Sequence, residues 1–355
     1  MLTDTLLSPF ERARTRLFTR ALEVDVLRGV LLDKRRRITA LLIVHASVAF
    51  TLAVFAPTLL LLAGPLLLGV PHLVADLRYL VLRPLLAAST RAVLLVGSGL
   101  LLVVRLAPSL GLGRPERPEL ALAVGMFVLA SLTATRAGAG WRLALALVVA
   151  LLLATLGAIW PQAFRLALSH AHNLVALALW AFAMTQGRRS ALTLGLGIAG
   201  LAALLLATPL AWFGFHAGLR ECFGLHTLAA ADNLAPGVRG ARLAVGVVAS
   251  FAFLQSVHYA VWLHAVPQEQ TRGNATLTFR MSARQLRQDL GAWGFAGAAL
   301  LCLGLPLAAL LGSPLGVKDW YLSLSSFHAY LELAAGAVFF VSGRKPTGFE
   351  DATCR

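Results

Sequence analysis

Long apolar runs, each near the length that crosses a bilayer and each closed by Gly, Pro or Arg, dominate this chain and leave it few possible folds. A helical span needs about 20 apolar residues, and in lipid every backbone polar group must be satisfied within the protein. The runs read as ten spans, at about 38–56, 57–82, 91–107, 118–135, 142–160, 163–185, 191–212, 240–264, 292–311 and 320–342. Between them stand Pro57, Arg83-Pro84, Pro108, Arg114-Pro115, Arg136-Ala137-Gly138, Trp160-Pro161, Gly187-Arg188-Arg189 and Gly312-Ser313-Pro314. These are the residues that punctuate helices. The fold expected is all-α, a polytopic integral membrane helical bundle.

Composition agrees. The 355 residues are 58% hydrophobic and 13% charged, against about 25% charged in a soluble domain. The net charge of +15 raises the question of nucleic acid. The basic residues form no tract with interleaved aromatics, so that partner is not expected. They sit at the ends of the apolar runs, where they set topology and meet anionic lipid.

Basic residues concentrate on one set of alternate loops, beginning with Lys34-Arg35-Arg36-Arg37. The positive-inside rule then makes both termini cytoplasmic, with the bundle in the cell inner membrane. Residues 1–37 interleave Phe10, Leu17, Phe18 and Leu22 with Arg12, Arg14, Arg16 and Arg20. This reads as a basic amphipathic helix on the inner leaflet, with a disordered tail as the other reading. The transmembrane domain is 38–342, with an outer segment at 213–239 and a polar cytoplasmic loop at 265–290. The latter has the character of a surface helix. A cytoplasmic tail covers 343–355. Cys222, Cys302 and Cys354 are too scattered for a disulfide framework or a thiolate knuckle.

The histidines carry the chemistry. His72, His170, His172, His258 and His328 fall within apolar runs, where ionisable groups are costly and mark a site. His72 is followed four residues later by Asp76, and His328 by Glu332; that spacing puts each pair on one helix face. His170 and His172 are two apart, about 200° around a helix, so one of them faces the site and the other a neighbouring helix. His258 lies deep in its span and His264 at its cytoplasmic end. His45, on the first span, reads as an interhelical hydrogen-bonding group, while His216 and His226 belong to the outer segment. The candidate ligands are therefore His72, His170, His172, His258 and His328, with Asp76 and Glu332 as candidate catalytic carboxylates.

Imidazole with few carboxylates and no thiolate suits non-haem iron that activates dioxygen. Zinc remains an alternative, because its catalytic sites need three protein ligands. Bis-histidine haem is a third possibility.

Gly69-Val70-Pro71-His72-Leu73-Val74-Ala75-Asp76 resembles the Gly-x-Pro-His-x-x-x-Asp motif of the bacterio-opsin-related-protein-like β-carotene 15,15′-dioxygenases, a family of polytopic membrane enzymes. The segment 253–259, which holds His258, is similar to the family's late histidine helix, although the late His-x-x-x-His pair is absent. The resemblance implies non-haem iron held by intramembrane histidines and cleavage of a carotenoid to retinal. It assigns His72 as a ligand and Asp76 as a ligand or supporting carboxylate.

Three functions follow as expectations. The first is an iron oxygenase acting on a lipid-soluble substrate such as a carotenoid, isoprenoid or acyl chain. The second is a zinc-dependent lipid hydrolase, similar in logic to alkaline ceramidases and adiponectin receptors, with Asp76 or Glu332 as general base. The third is a transporter or proton-linked carrier that uses the histidines as a relay.

Overall fold

Apolar length translates into helix throughout. The computed structural model describes residues 2–107, 111, 115–136, 138–185, 187–234, 238–271 and 273–344. The chain is 86% helical. Most of the tail expected at 343–355, including Cys354, lies outside the described residues, as does most of the connection at 108–114. Two helices precede the spans, α1 (Leu2–Leu22) and α2 (Asp25–Leu32). Next come α3 (Lys34–Phe55), α4 (Pro57–Leu82), α5 (Ala88–Leu106), α6 (Glu116–Ala134), α7 (Gly140–Ile159), α8 (Pro161–Met184) and α9 (Arg189–Ala207). The outer segment holds α10 (Leu210–Ala217), strands β1 (Glu221–Cys222) and β2 (Leu225–His226), and α11 (Thr227–Leu234). The last three are α12 (Ala241–Glu269), α13 (Phe279–Leu311) and α14 (Pro314–Ser342). Among the described residues, ten helices are long and apolar enough to cross a membrane, and the chain is a multi-pass membrane protein.

Helix α12 is the axis. Every residue of its apolar window is buried, and α3, α4, α8, α9, α10 and α11 all pack on it. Small residues allow this, since backbones approach closely only where side chains are short. A Cβ at Gly246 would lie 3.0 Å from the Leu205 carbonyl oxygen of α9. Around this axis, apolar side chains point outward: Leu310, Leu311 and Trp293 are almost fully exposed. In water such a surface would aggregate; in a bilayer it is the lipid contact.

Several expected boundaries move, each for a local reason. The seventh span, expected to reach 212, stops at Ala207. Pro209 follows, and the Thr208 hydroxyl donates to the Leu204 carbonyl at 2.7 Å. Helix α10 then folds back onto α3. The Leu219 amide donates to the Phe55 carbonyl at 2.7 Å, and a Cβ at Gly218 would collide with that same carbonyl. The hairpin β1–β2 turns through Phe223 and Gly224, with φ of 49° and 79°, the paired positive values that suit a two-residue hairpin turn.

The polar loop expected at 265–290 becomes mostly helix. Helix α12 runs on to Glu269, and the amphipathic first half of α13 starts after Thr278, whose hydroxyl accepts from the Met281 amide at 3.1 Å. Gly291, with φ 72° and ψ 175°, breaks α13 between this polar half and the apolar half at 292–311. Asp289 accepts from the Nε of both Arg78 and Arg83, tying the end of α4 to the polar half of α13. The N-terminal helix rests on the same region. The Arg280 amide donates to Glu11 Oε1 at 3.1 Å, and Arg14 Nη2 donates to Thr276 Oγ1 at 2.9 Å.

Candidate metal centre

Three spans contribute because each is locally irregular beside its histidine. Helix α4 has π-helical turns at Gly64–Leu68 and Leu77–Leu82, on either side of the segment bearing His72 and Asp76. Helix α12 has one at Val261–Ala265, just past His258. In α14 the regular helix is interrupted at Ser326, two residues before His328. Such turns re-aim side chains that a straight α-helix would spread along its axis, and they recur at functional sites. A fourth π turn, Leu179–Met184, follows His172 in α8.

The result is a compact group. One ligand atom from each of His72, Asp76, His258 and His328 lies within 4.8 Å of the others, and all four residues are buried. Ring centroids are 4.9 Å apart for His72 and His328, 5.3 Å for His72 and His258, and 5.9 Å for His258 and His328. His172 joins them, with its ring 5.2 Å from His258 and 5.0 Å from His328.

Outer contacts set which nitrogen looks inward. His172 Nδ1 is bonded to the Leu168 carbonyl at 3.2 Å, and His328 Nδ1 to the Ser325 carbonyl. With Nδ1 as the N–H donor, Nε2 carries the lone pair. His72 Nδ1 faces Tyr321 Oη at 3.5 Å. His258 Nε2 lies 3.4 Å from Glu332 Oε1, and that oxygen accepts from Trp262 Nε1 at 2.7 Å. Trp262 thus holds Glu332 beside His258, within ion-pair distance but without a hydrogen bond, the position from which a carboxylate can orient a ligand imidazole.

The inward atoms lack partners. Buried with no hydrogen-bond partner are His72 Nε2, both oxygens of Asp76, both nitrogens of His258, His328 Nε2 and Glu332 Oε2. A buried polar atom left unpaired costs about 1–3 kcal/mol, and a charged one more. So many in one place call for a shared partner such as a bound ion or buried water. One first-row ion can take one nitrogen from each of His72, His258 and His328 together with an oxygen of Asp76, and imidazole with carboxylate is a donor set such ions accept. The residues therefore fit a metal.

A cavity of about 440 Å³ reaches this group. His72, His172 and His328 line it, with Tyr259, Tyr321 and Tyr330 beside them and Leu166, Leu168, Phe251 and Leu322 among its apolar walls. Its far end meets Gln162, Arg165, Arg105 and Glu119, where Arg105 Nη2 donates to Glu119 Oε1 at 2.7 Å. Neither Asp76 nor Glu332 lines it; they are 1% and 0% exposed, and both lie behind the histidines. The two carboxylates expected as catalytic groups therefore stand with the histidine group and not on the cavity wall. A second cavity of about 400 Å³, between α4, α12 and α13, reaches Trp262 and Ala75 but none of the four grouped histidines.

Of the residues singled out from the sequence, His72, Asp76, His172, His258, His328 and Glu332 come together. His170 does not: its ring packs on Phe251 at 5.1 Å and its Nδ1 is bonded to its own helix at the Leu166 carbonyl. One of the two neighbouring histidines faces inward, as the 200° offset requires, and it is His172. His45 binds Ser256, its Nε2 3.0 Å from both Oγ and the carbonyl oxygen. Sequence reasoning missed Tyr259, Tyr321 and Trp262. Trp262 had a signal, lying four residues after His258 on the same face. Tyr321 had none, because its place depends on how α14 crosses α4.

Comparison of the chain with family models, curated proteins and solved structures finds no match.

Proposed function

We propose that this protein is an integral-membrane metalloenzyme in which His72, His258 and His328, with Asp76, hold a first-row metal ion, and His172 borders its open side. The convergence of unpartnered donor atoms at the end of a cavity carries this reading. Such an ion would supply Lewis acidity or redox chemistry at the cavity floor. The chain's own residues do the rest. Glu332, held by Trp262, orients His258, while the apolar walls exclude water and receive a lipid-soluble substrate. Both termini are assigned to the cytoplasmic face of the inner membrane, following the charge asymmetry of the loops.

We favour non-haem iron and oxygenase chemistry over zinc-dependent hydrolysis for one reason. A hydrolase needs a base within hydrogen-bond reach of the attacking water. In the hydrolase expected from the sequence that base is Asp76 or Glu332, neither of which lines the cavity, and the carboxylate that does, Glu119, is at its far end and paired with Arg105. An oxygenase needs open coordination positions and an apolar substrate channel. The resemblance of residues 69–76 to the carotenoid-cleaving family points the same way, with a carotenoid, isoprenoid or acyl chain as substrate. A carrier that uses the histidines as a proton relay has no comparable support, because it would not require so many unpartnered donors.

Elemental analysis of the detergent-purified protein tests the proposal. One or two equivalents of iron with substrate-dependent O₂ uptake is expected. Zinc alone favours the hydrolase, and less than about a tenth of an equivalent of any first-row metal after gentle purification refutes a metal centre.

A further inference from the structure

Two glycines of α4 are covered by tyrosine rings. A Cβ at Gly64 would lie 3.0 Å from the Tyr259 ring of α12. A Cβ at Gly69 would collide with the Tyr321 ring of α14, including its hydroxyl. The glycines are five residues apart across the π-helical stretch Gly64–Leu68. The i to i+5 closure of a π turn brings such positions toward one face, where a regular α-helix would turn them apart. Here α4 gives up its preferred hydrogen bonding and two side chains, and the space goes to two phenols.

Those phenols meet at the cavity floor. The Tyr259 ring lies 4.5 Å from the His72 ring, and the Tyr259 and Tyr321 hydroxyls are close neighbours. Both residues are buried and both line the cavity together with His72, His172 and His328. With His72 Nδ1 as the N–H donor toward Tyr321 Oη at 3.5 Å, the Tyr321 oxygen acts as acceptor and its own O–H remains to be given elsewhere. Nothing about apolar packing calls for this: two phenylalanines would fill the volume without bringing a hydroxyl into the bilayer interior, which is costly without partners.

We propose that Tyr259 and Tyr321 form a hydrogen-bond-donating subsite for an oxygen-bearing or small anionic ligand bound beside the histidine group. This rests on the metal-centre reading above and adds to it the groups that hold the ligand. Tyr321 plays two parts, accepting from His72 Nδ1 and donating into the cavity, and Tyr259 donates into the cavity beside it. No proton is transferred in this assignment; the pair only donates a hydrogen bond.

Azide is a suitable probe, because it binds an open position on ferric iron and accepts a hydrogen bond from a neighbouring donor. The full chain in detergent is loaded with iron, oxidised and titrated, with the azide charge-transfer band and the iron content as separate readouts. Tyr321→Phe should keep iron content native and weaken azide about tenfold, the size of a lost hydrogen bond to a charged group. Tyr259→Phe should weaken it less, and the double variant no more than about twofold beyond Tyr321→Phe, because paired hydroxyls are not additive. Gly69→Ala keeps both hydroxyls but displaces the Tyr321 ring, and should weaken azide to a similar degree. Native iron with wild-type azide affinity in both Phe variants, or in Gly69→Ala, overturns the tyrosine assignment and leaves the metal centre standing. A wild-type chain that takes up no iron overturns both.

Discussion

At the scale of the residue, the site is a matter of unpaired atoms. Replacing His72 or His328 with Ala removes an inward nitrogen from the group and should abolish metal loading while the bundle stays folded. His45→Ala loses only its contacts to Ser256, worth about 1 kcal/mol or less between membrane helices. It should keep metal content near wild type and serves as the control. Glu332→Gln retains an oxygen for Trp262 but replaces the carboxylate that faces His258 with an amide. Metal affinity should fall about 10–100-fold, as for other groups that orient a ligand. Loading is measured by elemental analysis after dialysis against a metal buffer. Full metal retention in both His→Ala variants would refute the centre. These histidines were legible in the sequence because imidazole inside a long apolar run is expensive, and the i+4 carboxylates marked two of them. The roles of the carboxylates were not legible. One-dimensional spacing places Glu332 on the His328 face, yet its structural partners are His258 and Trp262 of another helix.

At the scale of the element, irregularity decides where the side chains go. Span count and order follow from apolar length, and all ten spans appear close to where the runs fall. What the runs do not encode is the π turns in α4, α8 and α12, because Gly64-Pro65 signals a break in regular helix but not its form, and residues 261–265 look like any other apolar helix. The same holds for the outer segment, whose histidines and Arg220 suggested an interfacial element without showing how it attaches. The attachment is a close backbone approach: α10 ends against α3, with Gly218 facing the Phe55 carbonyl. Gly218→Ala forces that contact apart, and overpacking of this kind costs about 1–3 kcal/mol. A thermal melt of the detergent-solubilised protein should show a lower midpoint for Gly218→Ala than for Gly197→Ala, where a Cβ meets nothing within 4 Å. Metal content should be native in both, because neither position touches the histidine group. Equal midpoints would mean that the outer segment adds no stability through this contact.

At the scale of the whole molecule, orientation depends on parity and charge together. If each of the ten helices long and apolar enough among the described residues crosses, both ends come to one side whatever the exact helix boundaries, whereas one miscounted span would separate them. The polar half of α13 is the element most able to mislead such a count. It is continuous with a span as helix, yet Gly291 breaks it away, and its Asp289 pairs with Arg78 and Arg83 at the same end of the bundle. It therefore adds no crossing. The N-terminal helices dock on this same end through Glu11 and Arg14, which places the basic residues 12–37 beside the basic loops rather than across the bilayer from them. On the proposed orientation, with Lys and Arg on the cytoplasmic face, that end would face inward and the cavity rim at Gln162 and Arg165, near the start of α8 at the other end, would face outward. Fusion of a reporter active only in the cytoplasm should be positive before Met1 and after Arg355 and negative when inserted between α5 and α6. A reporter active only outside the inner membrane should give the complementary pattern. Opposite results at the two ends would refute an even number of spans. Matching results at the ends with the reverse sign would keep the bundle but turn the cavity mouth toward the cytoplasm, so that its substrate would enter from the inner leaflet.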